Sequence, residues 1–177
     1  MNLYDHVRHL RAVRNFLPEP IAQDQMEAIL QAGRWTGSSK NLQNWAFVVI
    51  EEEEGRTALA SAGRFSGPLI AAPLVVALVG LPEGYEFDIG RAAQNMMLAA
   101  SALGIASCPV TLHMEDRAAA MLRLPPDHTC RYAIAFGIAD TVAEEAARVE
   151  RRSQGWSGRK PLIDLVHHGQ FGRGTAG

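Results

Sequence analysis

The stretch that most constrains the fold is the run Asp88–Leu103, which consists mainly of alanine, methionine and leucine. Asp88 stands where a carboxylate would cap the start of a helix, and Gly104 follows its end. The apolar side chains are spread nearly all round the helical cylinder, so such a helix must be buried on every side. A chain of 177 residues offers little protein to surround it. We therefore predict a central helix with one face packed against a second subunit of a homodimer.

Strand and helix patterns alternate around this helix. The run Trp45–Ile50 is β-branched and aromatic and predicts a strand that is buried for most of its length. Further strands are predicted at Leu74–Val79, Cys108–Leu112 and Tyr132–Ile138, and helices near Leu3–Leu10, Ile21–Gly33 and Glu115–Leu122. This order predicts one domain over residues 1–177, with an α+β fold in which helices flank a central mixed β-sheet of about four or five strands.

Charge and cysteine usage exclude several function classes. The net charge of -2 offers no basic field for nucleic acid. Cys108 and Cys130 have no paired spacing, and no histidine cluster accompanies them, so neither a disulfide framework nor a metal site is indicated. The longest apolar run, Leu69–Gly80, is broken by Pro73 and is too short to cross a membrane. We expect a cytoplasmic protein without a targeting segment.

Two short segments carry residues suited to an anionic, planar ligand. Arg11 and Arg14 lie three residues apart and could converge on one phosphate, although spacing alone favours a solvated basic face. The loop from Ser38 to Trp45 combines hydroxyls, amides and an ammonium group ahead of a strand. These groups suit a heterocycle with a ribityl chain, and they equally suit an ordinary helix-to-strand turn.

The order and spacing of these segments resemble a known family, the FMN-dependent nitroreductases. Its members begin with a segment like Arg-Arg-Ser-Val-Arg-x-Phe, which stands here as Leu10-Arg11-Ala12-Val13-Arg14-Asn15-Phe16. A second family motif, Ala-Pro-Ser-x-x-Asn-x-Gln-Pro-Trp-x-Phe, is similar to residues 36–47. The central run with Gln94-Asn95 and the closing Arg159-Lys160-Pro161-Leu162 also resemble family segments. The resemblance covers nearly the whole chain.

This resemblance implies a nitroreductase-like, domain-swapped homodimer that binds FMN and uses NADH or NADPH as electron donor. It assigns the FMN phosphate to Arg11 and Arg159, and it puts Arg14 near the ribityl chain or the pyrimidine edge. A cation there stabilises negative charge on the reduced flavin. Main-chain atoms of Thr111 and Leu112 are implied near flavin N5 and O4. The residues that resemble those reaching the flavin from the other subunit are Ser38, Ser39 and Asn41.

Two positions depart from the family pattern in the first motif, residues 10–16. Leu10 stands where the family has its first arginine, and Ala12 stands at the cofactor-binding position that is usually serine. Losing one charged and one neutral hydrogen bond costs on the order of 2–4 kcal/mol of FMN affinity if nothing replaces them.

The implied reaction is hydride transfer from NAD(P)H through flavin N5 to a small electron-poor acceptor, such as a nitroaromatic or a quinone, in ping-pong order. No catalytic side chain is implied. Among the histidines, His113, which directly follows Thr111 and Leu112, is the one candidate acid or base to test. A carrier or sensor without turnover stays open, as does an oxidase, dehalogenase or destructase on the same fold. The segment Ala60–Gly67 is short for a lid and predicts an open site.

Overall fold

The computed structural model describes residues 2–156 and 158–172. Its α-helices are α1 (Leu3–His9), α2 (Gln23–Arg34), α3 (Glu53–Ala60), α4 (Gly67–Ala71), α5 (Glu86–Ala102), α6 (Glu115–Leu122) and α7 (Thr141–Ser153). Its strands are β1 (Trp45–Ile50), β2 (Leu74–Gly80), β3 (Ala106–Thr111) and β4 (Thr129–Gly137). Short 3-10 turns lie at Ser39–Asn41 and Leu162–Asp164. The α+β class is confirmed, and each predicted strand and helix is present within a few residues of its predicted ends.

The four strands form one sheet in the order β1-β2-β4-β3, and each neighbouring pair is antiparallel. The sequence predicted a mixed sheet. In the described residues its parallel component is the isolated bridge between Ala12 and Ser107.

Both faces of the sheet are covered by helices. All seven residues of β2 are buried, and alternate residues of this strand enter two different cores. Leu74, Val76 and Leu78 pack with apolar residues of α2 and α5. Val75, Ala77 and Val79 pack with residues of α3, α4 and α6. The result is a sheet between two helical layers, as expected for a strand without a polar face.

Helix α5 lies against α2 on one face of the sheet. Gly33 makes the close approach possible, because a Cβ atom added at this position would overlap the side chain of Met96. The buried stripe of α5 follows helical spacing through Ile89, Ala92, Met96 and Ala100. In the single chain the other positions are half-buried or exposed, so the predicted burial on every side requires a second subunit and stays a prediction. Those positions are free to meet another subunit.

Two local predictions are also corrected. Helix α5 begins at Glu86 with Tyr85 as its N-cap, so Asp88 lies in the first turn and pairs with Arg91 at 3.4 Å instead of capping the helix. A carboxylate in the first turn is still favourable there because of the helix dipole. Strand β1 was predicted to be mostly buried, but none of its residues is buried in the single chain. The reason is that β1 lies at an edge of the sheet.

The chain divides into two compact units between Glu144 and Glu145. The first unit holds the sheet and helices α1 to α6. In the second unit, the rings of His167 and Phe171 are in contact, with centroids 4.5 Å apart, and large apolar side chains are exposed. Those exposed side chains include Trp156, Leu162, Ile163 and Leu165. Within the described residues, no helix combines the length and the apolar character needed to cross a membrane.

Candidate functional site

The phosphate segment, residues 11–14, lies along the outer edge of β3. Ala12 forms a parallel bridge with Ser107, and the main-chain N–H of Val13 donates to the carbonyl of Ser107 at 2.9 Å. Because β3 is the last strand of the sheet, these contacts fix an otherwise irregular segment in an extended conformation. The two arginines of the segment are thereby anchored to a rigid element.

A carboxylate from the far end of the first unit holds the same segment. Oε1 of Glu144 accepts hydrogen bonds from the main-chain N–H of Arg14 at 2.6 Å and from the main-chain N–H of Asn15 at 2.9 Å. It also accepts one from Nδ2 of Asn15 at 2.9 Å. Hydrogen bonds to an ionised acceptor are stronger than neutral ones. Glu144 therefore orders the backbone from which the Arg14 side chain projects.

The guanidinium groups of Arg11 and Arg14 are exposed and suited to an anion. Nη1 of Arg11 donates to the carbonyls of Arg8 at 2.7 Å and Leu10 at 2.8 Å, at the end of α1. A guanidinium has five N–H donors, so this capping role leaves Arg11 further donors for a phosphate. Nη1 of Arg14 makes a longer contact with the carbonyl of Ala12 at 3.5 Å. The residues present thus fit a phosphate group at this edge.

The end of β3 provides a main-chain donor at the same edge. The N–H of Leu112 donates to the carbonyl of Arg131 at 2.8 Å, inside the sheet. Since N–H directions alternate along an antiparallel strand, the N–H of Thr111 points away from β4 toward the outer edge. Pro109, two residues earlier, also has its main-chain nitrogen on the outer edge, so its missing N–H costs no hydrogen bond to β4. Thr111 can therefore serve a ligand through its amide, whereas the Leu112 amide is already engaged by Arg131. A flavin contact of Leu112 through its other main-chain atoms stays a prediction.

The loop before β1 has an unusual backbone. Lys40, Asn41 and Gln43 all have positive φ, at 51°, 56° and 53°. The hydroxyl of Ser38 stabilises this shape by accepting a hydrogen bond from the main-chain N–H of Gln43 at 2.9 Å. Left-handed residues other than glycine are uncommon and concentrate at functional sites. The side chains of Ser39 and Asn41 are left exposed at the tip.

The start of α5 holds this loop in place. Nη1 of Arg91 donates to the carbonyl of Gly37 at 2.8 Å, and Nδ2 of Asn95 donates to Oγ1 of Thr36 at 2.8 Å. The other end of α5 is near α1, where Nδ1 of His6 lies 3.1 Å from Oγ of Ser101. Arg91 and Ser101 are separated by about 15 Å of helix. The loop and α1, which precedes the phosphate segment, therefore lie at opposite ends of α5.

The sheet register leads to the same separation. Ser38, Ser39 and Asn41 precede β1 at one edge, and the phosphate segment lies beside β3 at the other edge. Ser107 is aligned with Phe136 and Leu74, whereas Trp45 is aligned with Gly80. Strand spacing and rise put these corners roughly 20–25 Å apart. One chain thus does not bring the two predicted halves of the site together.

Arg159 lies in the second unit. Its side chain is exposed, and its Nη1 donates to the carbonyl of Gly158 at 2.9 Å. The guanidinium is therefore an accessible cation within that unit, next to Lys160 in the chain. Its assignment to the FMN phosphate stays a prediction.

Both cysteine side chains are buried, and neither forms a disulfide. Burial raises the pKa of the Cys130 thiol to about 12, although hydrogen bonding with the main chain of Tyr132 opposes the shift. A nucleophilic cysteine needs the opposite shift, toward the thiolate. Cys130 is thus a structural residue.

The raised pKa predicts a specific pH dependence of stability. The Cys130 thiol ionises near pH 9.0 when the chain is unfolded and near pH 12 when it is folded. Between these values the folded state binds more protons, so stability falls as pH rises. From about pH 9 to about pH 10, wild type should lose on the order of 1 kcal/mol more free energy of unfolding than Cys130→Ala. Urea unfolding at each pH measures this difference, and parallel curves for the two proteins would contradict the prediction.

Sequence reasoning missed several residues that build the site. Glu144 gave no signal, because it is about 130 positions from the segment that it orders. Arg91 lies in the central helix and was not singled out, although it holds Gly37. Asn95 belonged to a quoted motif, but its hydrogen bond to Thr36 was not foreseen. These roles depend on contacts between distant segments.

Comparison with known proteins agrees with this architecture. The model of the nitroreductase family matches residues 7–80 and 81–138. Protein DrgA from Synechocystis is 24% identical, over 94% of this chain and 95% of that protein. The FMN-dependent nitroreductase from Clostridium difficile superposes with a TM-score of 0.77 at 20% identity, covering 94% of this chain and 98% of that one. The NADPH:FMN oxidoreductase from Vibrio harveyi, solved with NAD+, superposes with a TM-score of 0.82 at 22% identity, covering 97% and 78%.

Proposed function

We propose that this chain, which belongs to the nitroreductase family, is an FMN-dependent oxidoreductase that draws electrons from NADH or NADPH. The observation that carries the proposal is the cationic segment anchored along β3, next to an edge amide that the sheet leaves unpaired. Relatives of the same fold support the cofactors, since one is named an FMN-dependent nitroreductase and another an NADPH:FMN oxidoreductase.

The chain's own residues would hold the cofactor through charge and main-chain hydrogen bonds. Arg11 and Arg159 would bind the phosphate, because guanidinium groups pair with phosphate oxygens in a bidentate manner. Arg14 would stabilise negative charge at the pyrimidine edge. The N–H of Thr111 would donate to the N5 and O4 edge. Ala12 would contribute main-chain contact only, since it lacks the hydroxyl of the family serine.

The chemistry that bound FMN supplies is acceptance of hydride at N5 from NADH or NADPH and its delivery to a small electron-poor acceptor, such as a nitroaromatic or a quinone. The donor and the acceptor would occupy the same place in turn, which gives ping-pong kinetics. The protein's contribution is then orientation and electrostatic stabilisation. No side chain of this chain needs to act as a nucleophile.

We further propose that the working form is a homodimer. The separation of the loop from the phosphate segment supports this, because Ser38, Ser39 and Asn41 can complete a site only on a second subunit. The half-exposed face of α5 and the unburied edge strand β1 offer surfaces for the contact. The exposed apolar side chains of the second unit suit an arm that crosses to a partner. We keep the whole chain, residues 1–177, as one nitroreductase-like domain and the cytoplasm as its location.

The first experiment is the absorption spectrum of the purified protein, followed by denaturation and chromatography of the released chromophore. Flavin bands with FMN released are expected. NADH and NADPH are then added separately without oxygen, and bleaching of the flavin band shows which donor is used. A panel of nitroaromatics and quinones should restore the band.

Other outcomes identify other functions. Tightly bound FMN that neither NADH nor NADPH reduces would favour a carrier or sensor. This alternative is kept because Leu10 and Ala12 depart from the family motif. Rapid reoxidation by oxygen alone would favour an oxidase. A protein that neither contains nor binds added FMN would contradict the proposed function.

A further inference from the structure

The turn between α3 and α4 is fastened to the end of β3. The N–H of Met114 donates to the carbonyl of Ala62 at 3.0 Å. A Cβ atom added at Gly63 would lie 3.2 Å from the carbonyl oxygen of Thr111, so the turn is packed against the backbone of the candidate site. The hydroxyl of Ser66, which is buried, donates to the carbonyl of Ala60 at 2.5 Å and closes the turn. Instead of a lid, this segment is a short, rigid wall.

Three side chains lie together here: Arg64 and Phe65 belong to the turn, and His113 belongs to the segment that follows β3. The main-chain N–H of Arg64 donates to Nδ1 of His113 at 3.3 Å. The Phe65 ring meets the His113 ring edge-on, with centroids 6.2 Å apart, yet 82% of Phe65 is exposed. Because Nδ1 accepts this hydrogen bond, neutral His113 carries its proton on Nε2 and has a donor left for a ligand. The hydrogen bond and the ring contact fix the orientation of the imidazole.

The Arg64 guanidinium is an uncompensated positive charge at this place. Within residues 2–156 and 158–172, no hydrogen bond or ion pair engages its side chain. Of the two carboxylates that begin α6 beside His113, Glu115 pairs with Arg131 at 3.8 Å. Asp116 lies in the first turn of α6, where the helix dipole favours an acidic residue. An exposed arginine beside an exposed aromatic ring is a combination that binds anionic aromatic ligands.

We propose that Arg64, Phe65 and His113 form the acceptor-binding wall and select planar aromatic acceptors that carry a negatively charged substituent. The acceptor ring packs on Phe65, its carboxylate pairs with Arg64, and Nε2 of His113 donates to a nitro or carbonyl oxygen. This inference rests on the proposed function and names its substrate class. On this proposal, a turn that is too short to close over the site still affects which acceptor binds.

The test compares two acceptors of nearly equal shape, 4-nitrobenzoate and 4-nitrobenzamide. Wild type should have the higher kcat/KM for the benzoate. Arg64→Gln should lower the ratio of the two kcat/KM values about fivefold, the effect of one partly exposed ion pair. Arg123→Gln removes the same charge from the end of α6 and should leave the ratio unchanged. Phe65→Leu should weaken both acceptors equally.

A second measurement does not depend on turnover. Benzoate and benzamide are titrated into the oxidised protein, and their dissociation constants are read from the change in flavin absorbance. Arg64→Gln should weaken benzoate about fivefold and leave benzamide unchanged. His113→Asn keeps an acceptor for the Arg64 N–H and should preserve the preference for benzoate, whereas His113→Leu should reduce it.

The possible failures are distinguishable. If Arg64→Gln retains FMN and both ratios are unchanged, this inference is wrong and the proposed function stands. If the variant instead slows flavin reduction by the nicotinamide with no change in either ratio, Arg64 serves the donor and the inference is also wrong. A wild-type protein that binds no FMN would overturn the inference together with the proposed function.

Discussion

Coexpression of an Arg11→Glu chain with a Ser39→Glu chain is expected to restore full FMN affinity at one site of each mixed dimer, whereas each variant alone has weakened sites only. Arg11 lies in the phosphate segment beside β3, and Ser39 lies in the loop at the opposite corner of the sheet. Arg11→Glu replaces a charged hydrogen bond with repulsion of the phosphate and should weaken FMN about 100-fold. Ser39→Glu should weaken FMN at least about tenfold, because it introduces an acidic group beside a bound anion.

The restoration follows from the division of each site between two chains. In a mixed dimer, one site receives both substitutions and the other receives neither. Mixed dimers are isolated by giving the two chains different affinity tags and purifying over both. They should contain about one FMN per dimer, compared with about two for wild type.

The matched control carries both substitutions on one chain and is coexpressed with wild type. Each site then receives one substitution, so these dimers should be nearly empty of FMN. The opposite pattern, with one FMN in the control and none in the first pair, would show that Arg11 and Ser39 act on the same chain's site. That result would contradict the proposed division of the site.

The largest expected loss of stability is produced by Phe136→Ala. Phe136 is in β4, is fully buried, and belongs to the apolar core that α2 and α5 form with one face of the sheet. Removing the ring leaves a cavity among rigid elements and should cost about 3–5 kcal/mol of the free energy of unfolding. Folded domains of this size have a net stability of roughly 5–15 kcal/mol, so the variant should lose a large share of it.

Urea unfolding at one fixed protein concentration measures this loss, because the stability of a dimer depends on concentration. Phe136→Leu keeps most of the volume and should cost about 1 kcal/mol. Phe65→Ala removes the same ring from an exposed position and should change stability by less than about 0.5 kcal/mol. Equal losses for Phe136→Ala and Phe65→Ala would contradict the assignment of Phe136 to the core.

The sequence by itself determined the elements and the class of fold. The β-branched run of β1, the apolar run of β2 and the helix α6 are local patterns, and local periodicity reflects which faces must leave water. The resemblance to the family also rested on collinear motifs around Arg11, around Asn41 and at Arg159. These features can be recognised without knowledge of any tertiary contact, because each depends on residues close together in the chain.

Only the tertiary structure decided how much of each element is buried and which groups have a partner. Strand β1 looked like a buried strand, but its place at the sheet edge leaves it partly open. The direction of the Leu112 and Thr111 amides follows from pairing with β4, which no local pattern specifies. Glu144 accepts a hydrogen bond from the Arg14 N–H, and His113 accepts one from the Arg64 N–H. Both hydrogen bonds join residues that are distant in the sequence. Hydrogen bonds between distant segments require the folded geometry, since sequence spacing constrains only neighbours along a helix or strand.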